Sequence, residues 1–171
     1  MTSRPLWRSA THTTPLGRVL LLASPDGLAG LWFHRQRHHP TAERMAQWTD
    51  TPNDPLLREA ARQLDRYFGA SSHTFDLPLD LSAGTVFQQT VWRALLNIPR
   101  GHTSSYLALA QQIGRPLAVR AVGTAIGRNP LSIVVPCHRV VGSGGSLTGF
   151  AGGLDAKSWL LDHERRIAGR S

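Results

Sequence analysis

Apolar residues in the first part of the chain are grouped in a way that favours β-strands. Residues 18–24 form one largely apolar run, and residues 28–33 form another. Pro25, Asp26 and Gly27 separate the two runs, and they favour a tight turn because proline fixes φ and glycine tolerates positive φ. The pattern therefore predicts a β-hairpin.

The next part of the chain combines an irregular region with a helix. Residues 34–52 are mainly polar, with a short helix predicted near residues 42–48. Asp54 then has the position of an N-cap, Pro55 the first helical position and Gly69 the C-terminal end. Apolar residues recur at helical spacing between these ends, at Leu57, Ala60, Ala61, Leu64 and Phe68. Residues 75–81 alternate between apolar and polar, which predicts an edge strand that tolerates Pro78.

Helical patterns dominate the second part of the chain. Thr85 and Gln88 have the spacing of a capping box, which predicts a helix that begins there and ends near Asn97. Two further helices are predicted at residues 105–113 and 117–127, joined by a short turn that contains Gly114. A last helix is predicted from Asp155 as N-cap. Its apolar stripe contains Trp159, Leu160, His163 and Ile167.

Together these patterns predict an α/β (α+β) fold in two domains. Residues 1–81 would form a small antiparallel sheet with a helix, and we expect this domain to act as a scaffold. Residues 82–171 would form a mostly helical, winged-helix-like domain with a helix-turn-helix. We expect this second domain to contain the chemistry.

The only cysteine of the chain, Cys137, lies in a run of β-branched residues at 133–141. Such a run predicts a buried strand, which Pro136 would end or place at an edge. One cysteine excludes an internal disulfide and a multi-cysteine zinc site. A lone cysteine in an apolar run is most often an inert core residue, so a reactive role needs further support.

Charge is distributed unevenly along the chain, which has a net charge of +8. Residues 1–81 have nine arginines and eight acidic residues, net +1, whereas residues 82–171 have ten basic and three acidic residues, net +7. This asymmetry favours a polyanionic partner such as nucleic acid over a general bias towards arginine. Residues 1–6 lack the apolar stretch of a signal peptide, so we expect a cytoplasmic protein associated with the nucleoid.

A possible partner for Cys137 can be found in the last helix. Glu164 lies one helical turn after Leu160, so part of its side chain should face the core and need a polar partner. His138 is the natural candidate, because a carboxylate on one ring nitrogen makes the other nitrogen more basic. Adjacent side chains on a strand point apart, so His138 would take the thiol proton of Cys137 through a water molecule.

Ordered motifs extend this hypothesis from residue 87 to residue 164. In order, they are Arg120-Ala121-Val122-Gly123, Asn129-Pro130, Ile133 to Val141 with Pro136-Cys137-His138-Arg139 at its centre, Gly152-Gly153-Leu154, and Lys157-x-Trp159-Leu160-Leu161-x-His163-Glu164. This part of the chain closely resembles the O6-alkylguanine-DNA alkyltransferases, also called methylated-DNA–protein-cysteine methyltransferases. The resemblance is weaker before residue 81, where Thr14-Pro15-Leu16-Gly17 and residues 64–69 are similar to the N-terminal domain of that family.

The resemblance implies a role for each matching residue in the reaction. Cys137 would accept the alkyl group irreversibly from guanine O6, with His138 as the water-mediated base and Glu164 as the group that orients it. Asn129 would brace the segment before Cys137, and Tyr106 would hydrogen-bond the departing guanine. The carbonyls near Cys137 and Val140, the ring of Phe150 and the backbone N–H of Ala151 would bind the base. Many family members have tyrosine and serine where this chain has Phe150 and Ala151, and neither change removes the implied contact.

The resemblance also implies how DNA would be bound. The nucleotide would be flipped out of the duplex, because its reacting atom is inaccessible inside the stack. Arg120 would fill the gap, and the small residues of its helix suit the narrow minor groove. The implied DNA-binding set is Tyr106, Arg115, Ala118, Arg120, Gly123 and Ser143. Binding would be independent of sequence, by a monomer without metal or cofactor, and clustering on DNA is left open.

Three other functions agree with parts of the sequence. A helix-turn-helix regulator would bind DNA without chemistry, but the helix at 117–127 is too small and apolar for base reading. A cysteine hydrolase would not need a basic half. A non-catalytic protein that recognises alkylated bases is the main alternative, and the presence of Cys137 argues against it. O4-alkylthymine is expected as a second substrate beside O6-alkylguanine.

Overall fold

The computed structural model of the chain describes residues 6–71 and 74–169. The chain divides into two compact units, Met1–Ala83 and Gly84–Ser171. Residues 1–5 of the N-terminal segment on which the predicted localisation was based lie outside the described residues. Within the described ranges, no helix has both the length and the apolar character needed to cross a membrane.

A four-stranded sheet forms the centre of the first unit. Its strands are β1 (Arg8–Thr14), β2 (Gly17–Ser24), β3 (Gly27–Phe33) and β4 (Thr49–Asp50), in the order β3-β2-β1-β4. β1, β2 and β3 pair antiparallel, and the short β4 pairs parallel to β1. The predicted hairpin is confirmed as β2 and β3. The sequence did not predict β1, because its serine, three threonines and histidine give little apolar alternation.

Two helices accompany this sheet, α1 (Ala42–Met45) and α2 (Pro55–Phe68). The predicted start of α2 is confirmed, since the Asp54 carboxylate accepts hydrogen bonds from the backbone N–H groups of Leu56 and Leu57. Asp54 also forms a buried ion pair with Arg8 of β1. The buried face of α2 contains Leu57, Ala60, Gln63, Leu64 and Tyr67. Ala61 and Phe68, which the pattern placed on that face, are only half-buried.

The predicted edge strand at residues 75–81 is wrong. This segment makes one isolated parallel bridge, between Leu79 and Leu28. Leu28 donates its N–H to the carbonyl of Pro78 at 2.7 Å, and Asp80 donates to the carbonyl of Leu28 at 2.8 Å. Because Pro78 has no N–H, it cannot contribute a donor to a longer ladder.

The second unit is mostly helical. It contains α3 (Val86–Leu95), β5 (Ser104–Ser105), α4 (Tyr106–Gln112), α5 (Val119–Gly127), β6 (Val140–Val141) and α6 (Leu154–Ala168). β5 and β6 pair parallel to each other. The Thr85–Gln88 capping box of α3 is present, and α4 and α5 form the predicted helix-turn-helix. Gly153, not Asp155, is the N-cap of α6, and Asp155 lies in its first turn.

Close packing between helices fixes the position of α5. The indole N–H of Trp92 in α3 donates to the carbonyl of Ala125 at 2.8 Å. Val122, Ala125 and Ile126 form the buried side of α5. The opposite side begins with exposed Arg120, so one face of this helix packs inward and the other faces solvent.

Candidate active site

The segment that leads to Cys137 is a series of tight turns, so the strand predicted at residues 133–141 is wrong. Val134 donates to the carbonyl of Ser132 at 2.8 Å, and Val135 donates to the carbonyl of Leu131 at 2.9 Å. Residues Cys137–Arg139 form one turn of 3₁₀ helix, and only Val140–Val141 is a strand. The earlier inference that Cys137 and His138 point apart as strand neighbours therefore has no basis.

A side-chain amide explains why this β-branched run does not extend. Asn129 is buried. Its Nδ2 donates to the Val135 carbonyl at 2.8 Å, and its Oδ1 accepts from the Leu131 N–H at 3.0 Å. Between these contacts, Ile133 has φ of 72°, a left-handed conformation that is costly for a β-branched residue. Asn129 thus braces a strained turn immediately before Cys137.

The predicted contact between His138 and Glu164 is present in the structure. Nε2 of His138 lies 2.7 Å from Oε1 of Glu164, and both residues are fully buried. Arg139 donates to the same carboxylate, from Nε to Oε2 and from Nη2 to Oε1, each at 2.9 Å. Arg139 also donates from Nη1 to the carbonyl of Ile98 at 2.7 Å. The sequence did not predict this role of Arg139.

These contacts determine the charge of the buried pair. Burial alone would raise the pKa of Glu164, but the hydrogen bonds from His138 and Arg139 and the adjacent positive charge of Arg139 outweigh it and lower that pKa to about 2. Burial lowers the pKa of His138, against the opposing effect of Glu164. At neutral pH the arrangement is therefore a carboxylate that holds a neutral imidazole.

The tautomer of His138 follows from this charge state. An ionised Glu164 only accepts hydrogen bonds, so Nε2 of His138 has the proton and Nδ1 has the lone pair. Nδ1 is buried and makes no hydrogen bond to any described residue. A buried basic nitrogen without a partner is what a proton acceptor requires.

Cys137 is almost fully buried, with 6% of its surface exposed. Burial raises the pKa of its thiol, while interactions with Asn129 and the charge of Lys157 partly oppose that rise. The thiol is therefore protonated at neutral pH. To react as a nucleophile it needs a base that removes the proton during the reaction.

Lys157 has a position in the site that sequence reasoning did not assign. It is fully buried, and its Nζ donates to the carbonyls of Val140, at 2.5 Å, and Thr148, at 3.0 Å. Burial lowers the pKa of Lys157, and the neighbouring Cys137 opposes this effect. One signal was available, since Lys157 is the only lysine of the chain and precedes Leu160 by three residues on the buried stripe of α6.

The residues expected to bind the base lie around this group. Val140 is buried, and its carbonyl already accepts from Lys157. Phe150 is half-buried and meets the ring of His138 edge to face, with centroids 6.5 Å apart. Ala151 is half-buried as well. The hydroxyl of Tyr106 lies 2.8 Å from Oγ1 of Thr148.

The residues expected to bind DNA lie mainly at the start of α5. Arg115 and Arg120 are exposed, and Ala118 is the half-buried N-cap. A Cβ on Gly123 would lie 3.6 Å from the ring of Tyr106. Ser143 is exposed in a 3₁₀ turn after β6. In the described part of the chain, Arg115, Arg120 and Ser143 make no hydrogen bond to Cys137, His138 or Glu164.

Leu117, which the sequence reasoning passed over, is 99% exposed between Arg115 and Arg120. A single exposed leucine is common on protein surfaces, so Leu117 matters here only through its place beside two basic residues. Of the described residues, no group of three His, Cys, Asp or Glu is arranged to hold a metal ion.

Comparison with known proteins decides the family. Residues 86–166 match the model of the 6-O-methylguanine DNA methyltransferase DNA-binding domain, and residues 8–81 match that of the ribonuclease-like domain. A methylated-DNA–protein-cysteine methyltransferase from Methanosarcina barkeri is 47% identical over 88% of this chain and 92% of its own length. The chain belongs to the methylated-DNA–protein-cysteine methyltransferase family.

Solved structures show the same relationship to this methyltransferase family. The Mycobacterium tuberculosis O6-methylguanine methyltransferase is 42% identical, with a TM-score of 0.84 over 94% of both chains. The Mycobacterium tuberculosis OGT in complex with DNA is 43% identical, with a TM-score of 0.82 over 94% of this chain and 93% of that one. The predicted mixed α/β fold and the family resemblance are thus confirmed. The family activity is that of an enzyme, a methyltransferase whose acceptor is a protein cysteine.

Proposed function

We propose that this protein repairs O6-alkylguanine in duplex DNA by transferring the alkyl group irreversibly to Cys137. The observation that carries this proposal is the state of His138. Its Nε2 is held by Glu164 at 2.7 Å, and its buried Nδ1 has no partner in the described residues. This nitrogen is available to take the Cys137 proton, through the bridging water molecule that the family resemblance implies.

The transfer is a displacement at the alkyl carbon. The thiol proton moves to Nδ1 of His138 while the sulfur forms a bond to the carbon and the bond between that carbon and O6 breaks. The electron pair of the broken bond leaves with guanine, which takes up a proton, and His138 returns its proton to solvent. The imidazolium formed on the way is stabilised by the Glu164 carboxylate, which is ionised throughout.

The guanine would be bound mainly by backbone groups beside Cys137. The carbonyls of Cys137 and Val140 accept from its exocyclic amine, and the N–H of Ala151 faces O6. The Val140 carbonyl already accepts from Lys157, but a carbonyl oxygen has two lone pairs and can accept a second donor. Phe150 provides an aromatic wall, and Tyr106 hydrogen-bonds the departing base.

Access to the base requires that its nucleotide leave the duplex, which costs a few kcal/mol. We propose that exposed Arg120 enters the stack from the minor groove and that Arg115, Ala118, Gly123 and Ser143 contact the backbone. Leu117 suits the same groove, because apolar side chains of minor-groove proteins often wedge between base steps. The +7 charge of residues 82–171 supplies affinity that does not depend on sequence.

Each molecule would react once. A thioether is not readily hydrolysed, and the chain has no second cysteine that could accept the group. O4-alkylthymine would be a second substrate, since it presents an alkyl group on a comparable exocyclic oxygen.

We further propose that the protein acts as a monomer at the nucleoid and that residues 1–81 serve as a scaffold. Support for DNA as the partner, but not for these further points, comes from the Mycobacterium tuberculosis OGT, whose structure contains DNA and which is 43% identical.

The test is a single-turnover incubation with duplexes that contain O6-methylguanine or O4-methylthymine, followed by peptide mass spectrometry. We expect one methyl group per protein, on the peptide that contains Cys137, and no transfer with Cys137→Ser. Repair of more lesions than there are protein molecules would contradict the stoichiometric mechanism. Tight binding of the lesion without any transfer would instead support a non-catalytic reader of alkylated bases.

A further inference from the structure

Thr148 lies in the loop between β6 and α6 and contacts three separate groups. Its Oγ1 lies 2.8 Å from the hydroxyl oxygen of Tyr106 in α4. Its carbonyl accepts from Nζ of Lys157 in α6 at 3.0 Å. Its methyl group, Cγ2, would lie only 2.9 Å from a Cβ on Gly142. The hydroxyl, the methyl group and the carbonyl of Thr148 therefore contact α4, Gly142 and α6, respectively.

These contacts fix the orientation of the Thr148 side chain. The methyl group covers Gly142, where any larger residue would displace it, so the hydroxyl is turned towards Tyr106. The backbone is tied through Lys157 to the carbonyl of Val140, three residues after Cys137. The hydroxyl of Tyr106 is therefore linked to the segment that contains the reactive cysteine.

Either hydroxyl can be the donor in the hydrogen bond between Thr148 and Tyr106. Among the described residues, the hydrogen-bond partner of Thr148 Oγ1 is the hydroxyl oxygen of Tyr106. If Thr148 donates to it, the proton of Tyr106 remains free for another acceptor. A hydroxyl that accepts a hydrogen bond also becomes a stronger donor, because chains of hydrogen bonds polarise one another.

We propose that Thr148 is a positioning residue that donates to Tyr106 and directs the Tyr106 proton to the departing guanine. This inference rests on the proposed function and adds to it a residue that acts through Tyr106. Thr148 itself does not touch the reacting atoms. Its contribution to the rate of transfer is that of one hydrogen bond, which acts as the departing guanine develops charge.

The test combines Thr148→Val with Tyr106→Phe and measures the rate of Cys137 alkylation by free O6-benzylguanine and by a methylated duplex. Valine keeps the branched shape and the methyl over Gly142 and removes only the hydroxyl. We expect Thr148→Val to slow the reaction about three- to tenfold on both substrates, the effect of one net hydrogen bond. Thr148→Ser should retain most of the rate. Thr90→Val, on the exposed side of α3, is the matched control and should have no effect.

The double variant separates positioning from structural damage. In the Tyr106→Phe background no hydroxyl remains to be oriented, so Thr148→Val should cause no further loss. An equal loss in both backgrounds, or an unchanged rate for Thr148→Val alone, would overturn the inference. Failure of the unaltered protein to transfer an alkyl group to Cys137 would instead remove the proposed function itself.

Discussion

Nε2 of His138 lies 2.7 Å from Oε1 of Glu164, and both side chains are fully buried in the protein core. An ionised carboxylate in such a place is costly unless it is fully paired. Arg139 completes the pairing through two hydrogen bonds of 2.9 Å. The arrangement fixes the imidazole tautomer and leaves Nδ1 as the only ring nitrogen that can accept a proton.

Replacement of Glu164 by glutamine should slow alkyl transfer about tenfold to a hundredfold, because a neutral amide neither fixes the tautomer nor stabilises the imidazolium. The rate of Cys137 alkylation by O6-benzylguanine measures the effect. Glu43→Gln, which changes an exposed glutamate in α1, is the control. A Glu164→Gln variant that reacts as fast as the unaltered protein would remove Glu164 from the mechanism.

The rate of transfer should depend little on pH around neutrality and should fall in acid. Burial lowers the pKa of His138 from its ordinary 6.5, so the base stays neutral and competent at pH 7 and is lost only at a pH below 6.5. The raised pKa of Cys137 keeps its thiol protonated both around neutral pH and in acid. A series of single-turnover rates between pH 5 and 9 tests this. A rate that climbs steadily up to pH 9 would indicate a free thiolate in place of base-assisted attack.

The same pair should make the folded state sensitive to acid. The folded pKa of Glu164, about 2, lies below its ordinary 4.5, so its contribution is complete above 4.5 and is lost as the pH falls towards 2. The loss amounts to about 3 kcal/mol of the free energy of unfolding. Urea unfolding of the unaltered protein and of Glu164→Gln should show a difference that narrows across this window. A difference that is constant with pH would contradict the low pKa.

Asn129→Ala should lower the free energy of unfolding by about 1 to 3 kcal/mol, because it leaves the buried Leu131 N–H without its partner and removes one of the two donors to the Val135 carbonyl. It should also slow transfer, since the turn that presents Cys137 loses its brace. Denaturant unfolding and the benzylguanine rate measure the two effects. Asn97→Ala, at an exposed position after α3, should change neither. An Asn129→Ala protein of normal stability would show that the strained turn at Ile133 needs no support from this side chain.

Arg120→Ala should separate the two kinds of substrate. Cys137 is buried, whereas Arg120 is exposed at the start of α5. Its loss should slow repair of a methylated duplex about tenfold or more, because extrusion of the nucleotide is then uncompensated. The reaction with free O6-benzylguanine should stay unchanged. Arg166→Ala, at an exposed site in the last turn of α6, controls for the loss of one positive charge. Equal losses on both substrates would exclude the intercalating role.

Local sequence signals predicted several elements well, because each depends on neighbouring residues. Asp54 with Pro55, and Thr85 with Gln88, place helix starts where the structure has them. The hairpin at residues 17–33 follows from its turn residues. The ordered motifs from residue 87 onwards identified the family, which the comparisons confirmed.

The segment before Cys137 shows where local signals fail. β-Branched residues favour a strand, but the amide of Asn129 reaches the backbone of Val135, six residues away, and closes the chain into turns. A similar limit applies to residues 75–81, where Pro78 and the N–H of Leu28 decide the pairing. In both cases a contact that depends on the folded chain overrides propensity.

The sequence alone determined the reactive residue types, the helix ends, the uneven charge and the family, because these are properties of composition, spacing and order. Only the tertiary structure decided how the groups act together. It buries His138 and Glu164 against each other, leaves Nδ1 of His138 without a partner among residues 6–71 and 74–169, and brings Lys157 to the carbonyls of Val140 and Thr148. The physical reason is that pKa values and hydrogen-bond partners depend on desolvation and on distances of a few ångströms between residues far apart in the chain.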